Sequence, residues 1–110
     1  MYTLDEYQDD AALTAVYPGA GTGNMPELTY LTMGMAGEAG EVLNALKKHL
    51  RKGTEPDAAA AADLADEVGD VLWYAANLAR ALGLDLSEVA LNNRKKLRDR
   101  QNKGRLKKMD

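Results

Sequence analysis

Four carboxylates in two equally spaced pairs are the side chains of this sequence best suited to chemistry. Glu38 and Glu41 form one pair, and Glu67 and Asp70 form the other. Carboxylates that lie close together repel one another, and a divalent cation removes that repulsion. Magnesium prefers oxygen ligands and commonly joins protein carboxylates to phosphate groups. The spacing therefore indicates a site for Mg²⁺, or for Mn²⁺ in its place, provided that the fold brings the two pairs together.

Both pairs fall in predicted helices, and each occupies the same position relative to the apolar side of its helix. A helix advances by about 100° per residue, so residues three and four apart share a face. Each acidic pair lies at the border of an apolar arc, and packing the two arcs together brings all four carboxylates to one rim. The arcs consist of Met35, Ala39, Val42, Leu43, Leu46 and Leu50 in one helix, and of Leu64, Val68, Val71, Leu72, Ala75, Leu78 and Leu82 in the other.

The elements that position these arcs are predicted to be four helices and no strand. Three prolines and no phenylalanine among 110 residues favour helix. Apolar periodicity and turn residues predict an all-α, antiparallel four-helix bundle that forms a single domain over residues 1–110. The first three predicted helices cover approximately residues 3–15, 28–52 and 59–81, and the fourth follows a cap at Asp85 or Ser87 and continues to about residue 101. The glycine- and proline-rich stretch 18–26 is predicted to be a loop.

The composition excludes several other kinds of site. Without cysteine the chain has no disulfide, thiolate ligand or cysteine nucleophile. The single histidine, His49, cannot supply the two Glu-x-x-His motifs of a ferritin-like di-iron bundle. Any metal must therefore be held by oxygen. No apolar run of membrane-spanning length and no signal peptide are found, so we expect a soluble, cytoplasmic protein.

The C-terminal end from about residue 94 to 110 is strongly basic, although the whole chain carries a net charge of -3. Nine of the fourteen lysines and arginines lie between Arg94 and Lys108. Such an end suits three roles: a solvated helix face, positive charge beside phosphate groups, or a contact of a non-enzymatic binding module with nucleic acid. Nucleic acid is the weaker partner, because this stretch has no aromatic residue for base stacking and no nucleic-acid motif.

Two motifs resemble those of the MazG-like, all-α nucleoside triphosphate pyrophosphohydrolases. They are Gly-Glu-Ala-Gly-Glu-Val at 37–42 and Asp-Glu-Val-Gly-Asp-Val-Leu-Trp-Tyr at 66–74. The family signature begins with two adjacent glutamates. Gly37 stands in the place of the first, so one outer acidic residue is missing here. The resemblance covers most of the chain and extends to Tyr7, Gln8, Thr14, Tyr17, Pro18, Asn93, Lys96, Leu97 and Arg100.

The resemblance implies hydrolysis of a nucleoside triphosphate between its α and β phosphates, which yields a nucleoside monophosphate and pyrophosphate. It also implies that the four carboxylates hold one or more Mg²⁺ ions and that one glutamate orients or deprotonates the attacking water. Related substrates, phosphoribosyl-ATP and dUTP, remain open. The substrate contacts that the resemblance and helix spacing suggest are Tyr74, Asn77, Asn93, Lys96 and Arg100.

The helical glycines point to close contacts, and a short four-helix chain leaves much apolar surface that its own helices do not cover. Each glycine inside a helix costs ~1 kcal/mol relative to alanine, so close helix packing or room for a ligand must offset that cost. We expect a homodimer or homotetramer, with the basic helix or Trp73 at the contact. Trp73 is predicted to point away from the carboxylates. The helical glycines are Gly34, Gly37, Gly40 and Gly69.

Overall fold

The computed structural model describes residues 1–104 and confirms the all-α, four-helix prediction. Within those residues there is no strand. The predicted basic end continues past this range, and its residues 105–110 lie outside the described part. In chain order the helices are α1 (Leu4–Leu13), α2 (Met25–Lys52), α3 (Ala58–Ala81) and α4 (Leu86–Asn102).

The two long helices begin and end at residues whose chemistry explains the boundary. The side chain of Asn24 accepts a hydrogen bond from the backbone N–H of Glu27 at the start of α2, and Asp57 does the same for Ala60 at the start of α3. Helix α2 starts three residues earlier than predicted and includes Pro26. A proline fits the first helical turn because its missing N–H has no partner there in any case. Gly53, with φ of 66°, ends α2 as predicted.

Helices α2 and α3 form a long antiparallel hairpin, which is the largest packing contact of the fold. Its most deeply buried large side chain is Leu31 of α2, which is fully shielded from solvent. Within the described residues, α2 approaches neither α1 nor α4 closely. The four helices are therefore arranged as a hairpin with α1 and α4 packed on α3.

Gln8 joins the two shorter helices to α3 through its buried amide. Its Nε2 donates to the carbonyl oxygens of Ala76 (3.2 Å) and Leu84 (3.0 Å), and its Oε1 accepts from the N–H of Leu86 (3.0 Å). Ala11, Ala76 and Leu86 form the adjoining apolar core. Buried backbone groups need partners, so this one side chain fixes where α1, α3 and α4 meet.

The apolar arcs predicted as core are only partly buried, and this corrects the sequence prediction. Val42 and Val71 are half-buried, but Leu43 and Leu50 on α2 expose 59% and 66% of their surface. Val68 on α3 exposes 55%. A single neighbouring helix covers only part of each broad apolar arc, so the remainder faces outward.

In the part of the chain that the structure describes, no helix has the length and apolar character needed to cross a bilayer.

Candidate active site

Three of the four predicted carboxylates come together where α2 packs on α3. Glu38, Glu67 and Asp70 each offer one oxygen atom, and these three atoms lie within 4.8 Å of one another. Glu38 and Glu67 are half-buried, whereas Asp70 is exposed. The prediction that the two helices turn their acidic edges toward each other is thus matched by the geometry for these three side chains.

Glu41 lies outside this group. Being three residues after Glu38, it sits further around α2 from the side that faces α3, and it is exposed. Its charge still acts on the group, as it is one of the causes that raise the pKa of Glu67. Glu41 is therefore placed to influence the cluster from its edge.

The pKa of Glu67 lies above its usual value, because several effects oppose its ionisation. Partial burial of the carboxyl is the largest, followed by the negative charges of Glu38, Asp70 and Glu41 and by a hydrogen bond to Glu38. Among residues 1–104, no ion pair links this cluster to a lysine or arginine. Within the described residues, negative charge is thus concentrated here without a lysine or arginine paired to it.

A surface cavity of about 340 Å³ opens beside the cluster. This volume lies within the range of ligand pockets. The acidic side chains that line it are Glu38 and Asp70, and Thr14, Trp73 and Tyr74 complete its lining. The cavity therefore combines carboxylate oxygens with flat aromatic surface.

Trp73 lines this cavity, so the prediction that it points away from the carboxylates is wrong. Its indole N–H donates to Thr14 Oγ1 at 2.7 Å, and the Thr14 hydroxyl donates to the carbonyl of Ala11 at 3.1 Å. Helix α1 packs on α3 and thereby supplies the partner that holds the ring in this position. Because its only donor is already used, Trp73 offers the cavity aromatic surface and no hydrogen bond.

Gly34 leaves the space on α2 that the Tyr74 ring occupies beside the cavity. A Cβ atom built on Gly34 would overlap the Tyr74 ring. Burial raises the pKa of the Tyr74 hydroxyl, as do its neighbour Tyr30 and then the charges of Glu38 and Asp70. The Tyr74 hydroxyl is therefore protonated at neutral pH. The close contact with the Tyr74 ring explains why a glycine occupies position 34 of the helix.

An aromatic cluster behind the cavity is anchored by a buried carboxylate. Tyr17 stacks on Tyr30 with ring centres 4.4 Å apart, and it meets Trp73 edge to face at 6.2 Å. The Tyr17 hydroxyl donates to Glu27 at 2.7 Å. Glu27, only 3% exposed, also accepts from the N–H groups of Gly21 (2.9 Å) and Gly23 (2.8 Å). Glu27 thus fixes the loop before α2, and through Tyr17 it supports Trp73.

The other predicted substrate contacts lie away from this cavity. The buried amide of Asn77 donates to the carbonyls of Ala11 and Trp73, at 3.4 and 3.2 Å. The spacing placed it on the face of Asp70, but α1 covers this part of α3 and uses the amide. On α4, Asn93 and Lys96 are exposed and Arg100 is half-buried. None of these four side chains lines the cavity.

Tyr7 in α1 and Thr14, the residue that caps the end of α1, belong to the surroundings of the site, although the sequence prediction assigned them no role there. Thr14 lines the cavity. Tyr7 lies near Asp70, since its pKa is raised by burial and then by the Asp70 charge. Thr14 follows Tyr7 by seven residues, so both lie on the same side of α1. This spacing was the feature of the sequence that could have identified them. The sequence alone did not show that this face packs on α3.

The fold and the site define an all-α protein with a candidate metal centre made only of oxygen donors. Residues 27–104 match the MazG nucleotide pyrophosphohydrolase domain, and the chain belongs to that family. It is also similar to the "Gene 37 protein" of Mycobacterium phage L5, with 47% identity over 106 residues that cover 92% of this chain and 90% of the relative. No solved structure matches the chain significantly.

Replacing Gly34 with alanine tests the packing of Tyr74. We expect Gly34→Ala to lower the free energy of unfolding, because an overpacking cost of about 1–3 kcal/mol exceeds the helix-propensity gain of ~1 kcal/mol. The matched control is Gly37→Ala, which has nothing within 4 Å of the added Cβ and should be stabilised by up to ~1 kcal/mol. Urea unfolding measures both. Shifts of the same sign would contradict the packing described for Tyr74.

The hydrogen bonds to Glu27 predict how the stability of the protein changes with pH. Burial raises its pKa, but the hydrogen bonds from Tyr17, Gly21 and Gly23 outweigh burial and leave the pKa below its ordinary value. Its stabilisation is therefore fully present above the unfolded pKa of about 4.3 and is lost as pH falls through the lower folded pKa.

Glu27→Gln should lower the free energy of unfolding by about 2 kcal/mol at pH 7. The deficit should shrink on acidification below about pH 4. Urea unfolding across pH measures this, with the exposed Glu55→Gln as the control. A deficit that is constant with pH would show that the charge of Glu27 does not contribute.

Proposed function

We propose that this chain hydrolyses nucleoside triphosphates, NTPs or dNTPs, between the α and β phosphates to a nucleoside monophosphate and pyrophosphate in a Mg²⁺-dependent reaction. Membership of the MazG nucleotide pyrophosphohydrolase family supports the class of reaction. The observation that carries the proposal is the convergence of Glu38, Glu67 and Asp70 on the edge of the aromatic cavity.

The donor set fits a magnesium ion. All three converging groups are carboxylates, and no lysine or arginine within residues 1–104 forms an ion pair with them. Magnesium is typically held by one or two carboxylates together with waters and substrate phosphates. Mn²⁺ prefers the same ligands and is the expected substitute. Glu38, Glu67 and Asp70 would hold the ion, and the fourth predicted ligand, Glu41, would take part from the edge of the cluster.

The residues around the cavity suggest a division of roles. When bound, Mg²⁺ supplies neutralisation of the phosphate charge and lowers the pKa of coordinated water. A cluster glutamate or Glu41 would orient the attacking water. Tyr74 keeps its proton at neutral pH and is placed to donate it in a hydrogen bond to substrate. Trp73 presents ring surface against which a nucleobase can stack.

The phosphate contacts predicted on α4 stay part of this proposal. Lys96 and Arg100 carry the charge, and Arg100 also the fork geometry, that suit phosphate. Asn93 shares their side of the helix, whereas the buried amide bonds of Asn77 favour a positioning role for that residue. We expect the protein to act in the cytoplasm as a homo-oligomer without membrane or nucleic-acid partners.

The test is incubation of the protein with a panel of canonical and modified NTPs and dNTPs and Mg²⁺, with separate detection of pyrophosphate and orthophosphate. We expect pyrophosphate and nucleoside monophosphate, no orthophosphate, and no reaction in EDTA. Glu67→Gln and Asp70→Asn should each reduce kcat/KM by ~100-fold or more, because several kcal/mol of transition-state stabilisation depend on the bound ion.

Glu88→Gln on α4 is the matched control, since it removes an exposed carboxylate outside the cavity and should leave activity unchanged. Orthophosphate as the product, or full activity of Glu67→Gln, would contradict the proposal. Salt-sensitive DNA binding that is unaffected by Glu67→Gln, without hydrolysis, would favour the alternative of a nucleic-acid-binding module with a basic C-terminal end.

A further inference from the structure

A second cavity lies further along the α2–α3 hairpin, beside the turn that joins the two helices. Glu38 of α2 meets Asp70 of α3 in the carboxylate cluster. Because the helices are antiparallel, Lys48, ten residues after Glu38, is expected opposite Ala60, ten residues before Asp70. Both of these residues line the second cavity, which has a volume of about 500 Å³. The two cavities therefore lie at successive levels of one hairpin.

Lys48 lies on the side of α2 that carries the acidic pair. It follows Glu41 by seven residues, which is close to two full helical turns, so the two side chains share a face. On α3, Asp63 precedes Glu67 by about one turn and also lines the second cavity. Lys47 points about 100° further from this face, and it does not line the cavity. The acidic face of the hairpin thus continues from the cluster to Lys48.

The ammonium group of Lys48 can approach a group that is bound at the carboxylates. The seven residues from Glu41 to Lys48 correspond to about 10 Å along the helix axis. Helical side chains lean toward the N-terminus of their helix, and in α2 this direction leads from Lys48 toward Glu41. The flexible four-carbon stem of lysine covers much of that distance. The remaining gap between the ammonium group and the cluster suits a short chain of phosphate groups.

The two ends of this surface offer different chemistry to a nucleotide. Trp73 and Tyr74 give the first cavity its aromatic surface. The second cavity has no tyrosine or tryptophan in its lining, and it contains Lys48 and Lys52. Among residues 1–104, neither lysine forms an ion pair, so both charges are available to an anion. The base therefore suits the first cavity, and negative charge suits the lysine end.

Acidic residues limit where an anion can lie at that end. Within the described residues, the side chains of the second cavity that oppose an anion are Glu55, Asp57 and Asp63. Their repulsion disfavours a free anion in the middle of the cavity. Lys52 is about 6 Å further than Lys48 from the cluster along α2. Only Lys48 is thus placed to contact an anion that is also held at the carboxylates.

We propose that Lys48 binds the terminal phosphates of the nucleotide, with the base against Trp73 and Tyr74 and the phosphate chain crossing the carboxylate cluster toward the hairpin turn. Lysine binds phosphate as a point charge with three donors. The proposal rests on the proposed function and adds a direction to it. After cleavage between the α and β phosphates, Lys48 contacts the pyrophosphate product, and the nucleoside monophosphate occupies the aromatic cavity.

Titration calorimetry of the full chain in Mg²⁺ tests this contact with two sets of ligands. One set is the α,β-methylene triphosphates of the common nucleosides, which cannot be hydrolysed at this bond, and the other is the corresponding monophosphates. Lys48→Gln should raise the dissociation constant of the tightest analogue by about 10-fold or more, because a charge-assisted hydrogen bond is lost. It should leave the affinity for the monophosphate unchanged. Lys48→Arg should retain most of the affinity for the analogue.

Lys47→Gln is the matched control, because it removes the same charge from an exposed position outside the cavity and should leave both affinities unchanged. The proposal would be overturned by a wild type that binds no analogue more tightly than its monophosphate. It would also be overturned if Lys48→Gln kept its affinity for the analogue, lost as much affinity for the monophosphate, or behaved like Lys47→Gln. Failure of the proposed function is a separate result, in which the wild type releases no pyrophosphate from any NTP or dNTP, whatever Lys48 contributes to binding of the analogue.

Discussion

The packing of α2 against α3 is the contact on which the geometry of the candidate site depends. The segments Glu41-Val42-Leu43 and Asp70-Val71-Leu72 each place an acid and a leucine on either side of a half-buried valine. A rotation of one helix by a single residue position would turn its acid away from the shared rim and expose its valine. The hydrophobic contact thus sets the geometry of the carboxylates, which would repel one another if nothing else held them together.

The stability of this arrangement is unevenly distributed. The buried side chains of Gln8 and Glu27 form several hydrogen bonds, and these bonds fix α1 and the loop before α2. The exposed apolar residues of the α2–α3 hairpin, such as Leu43, Leu50 and Val68, have no such support. The carboxylate cluster adds repulsion of its own, a cost that a bound cation would offset.

Much of the fold was readable from the sequence, because helix periodicity and end signals are local. The sequence predicted the four helices, the end of α2 at Gly53 and the phase of the acidic pairs, because each of these depends on residues a few positions apart in the chain. The extent of burial did not follow, because an apolar arc does not reveal whether its own chain or another copy covers it. The start of α2 was misjudged because Pro26 was counted as a loop residue, although proline fits a first turn.

For the site, the sequence identified the carboxylates but not the walls around them. The places of Trp73 and Asn77 depend on how α1 packs on α3, a contact between residues about sixty positions apart that no local pattern encodes. The grouping of Glu38, Glu67 and Asp70 without Glu41 likewise depends on side-chain positions and not on spacing alone.

The central claim is that this cluster binds a divalent cation, and electron paramagnetic resonance of Mn²⁺ tests it most directly. Adding the protein to a Mn²⁺ solution should deplete the signal of the free aqueous ion, and excess Mg²⁺ should restore it. The double variant Glu67→Gln, Asp70→Asn should leave the free signal unchanged, while Glu88→Gln behaves as the wild type. A free Mn²⁺ signal that the wild-type protein does not reduce would contradict the claim.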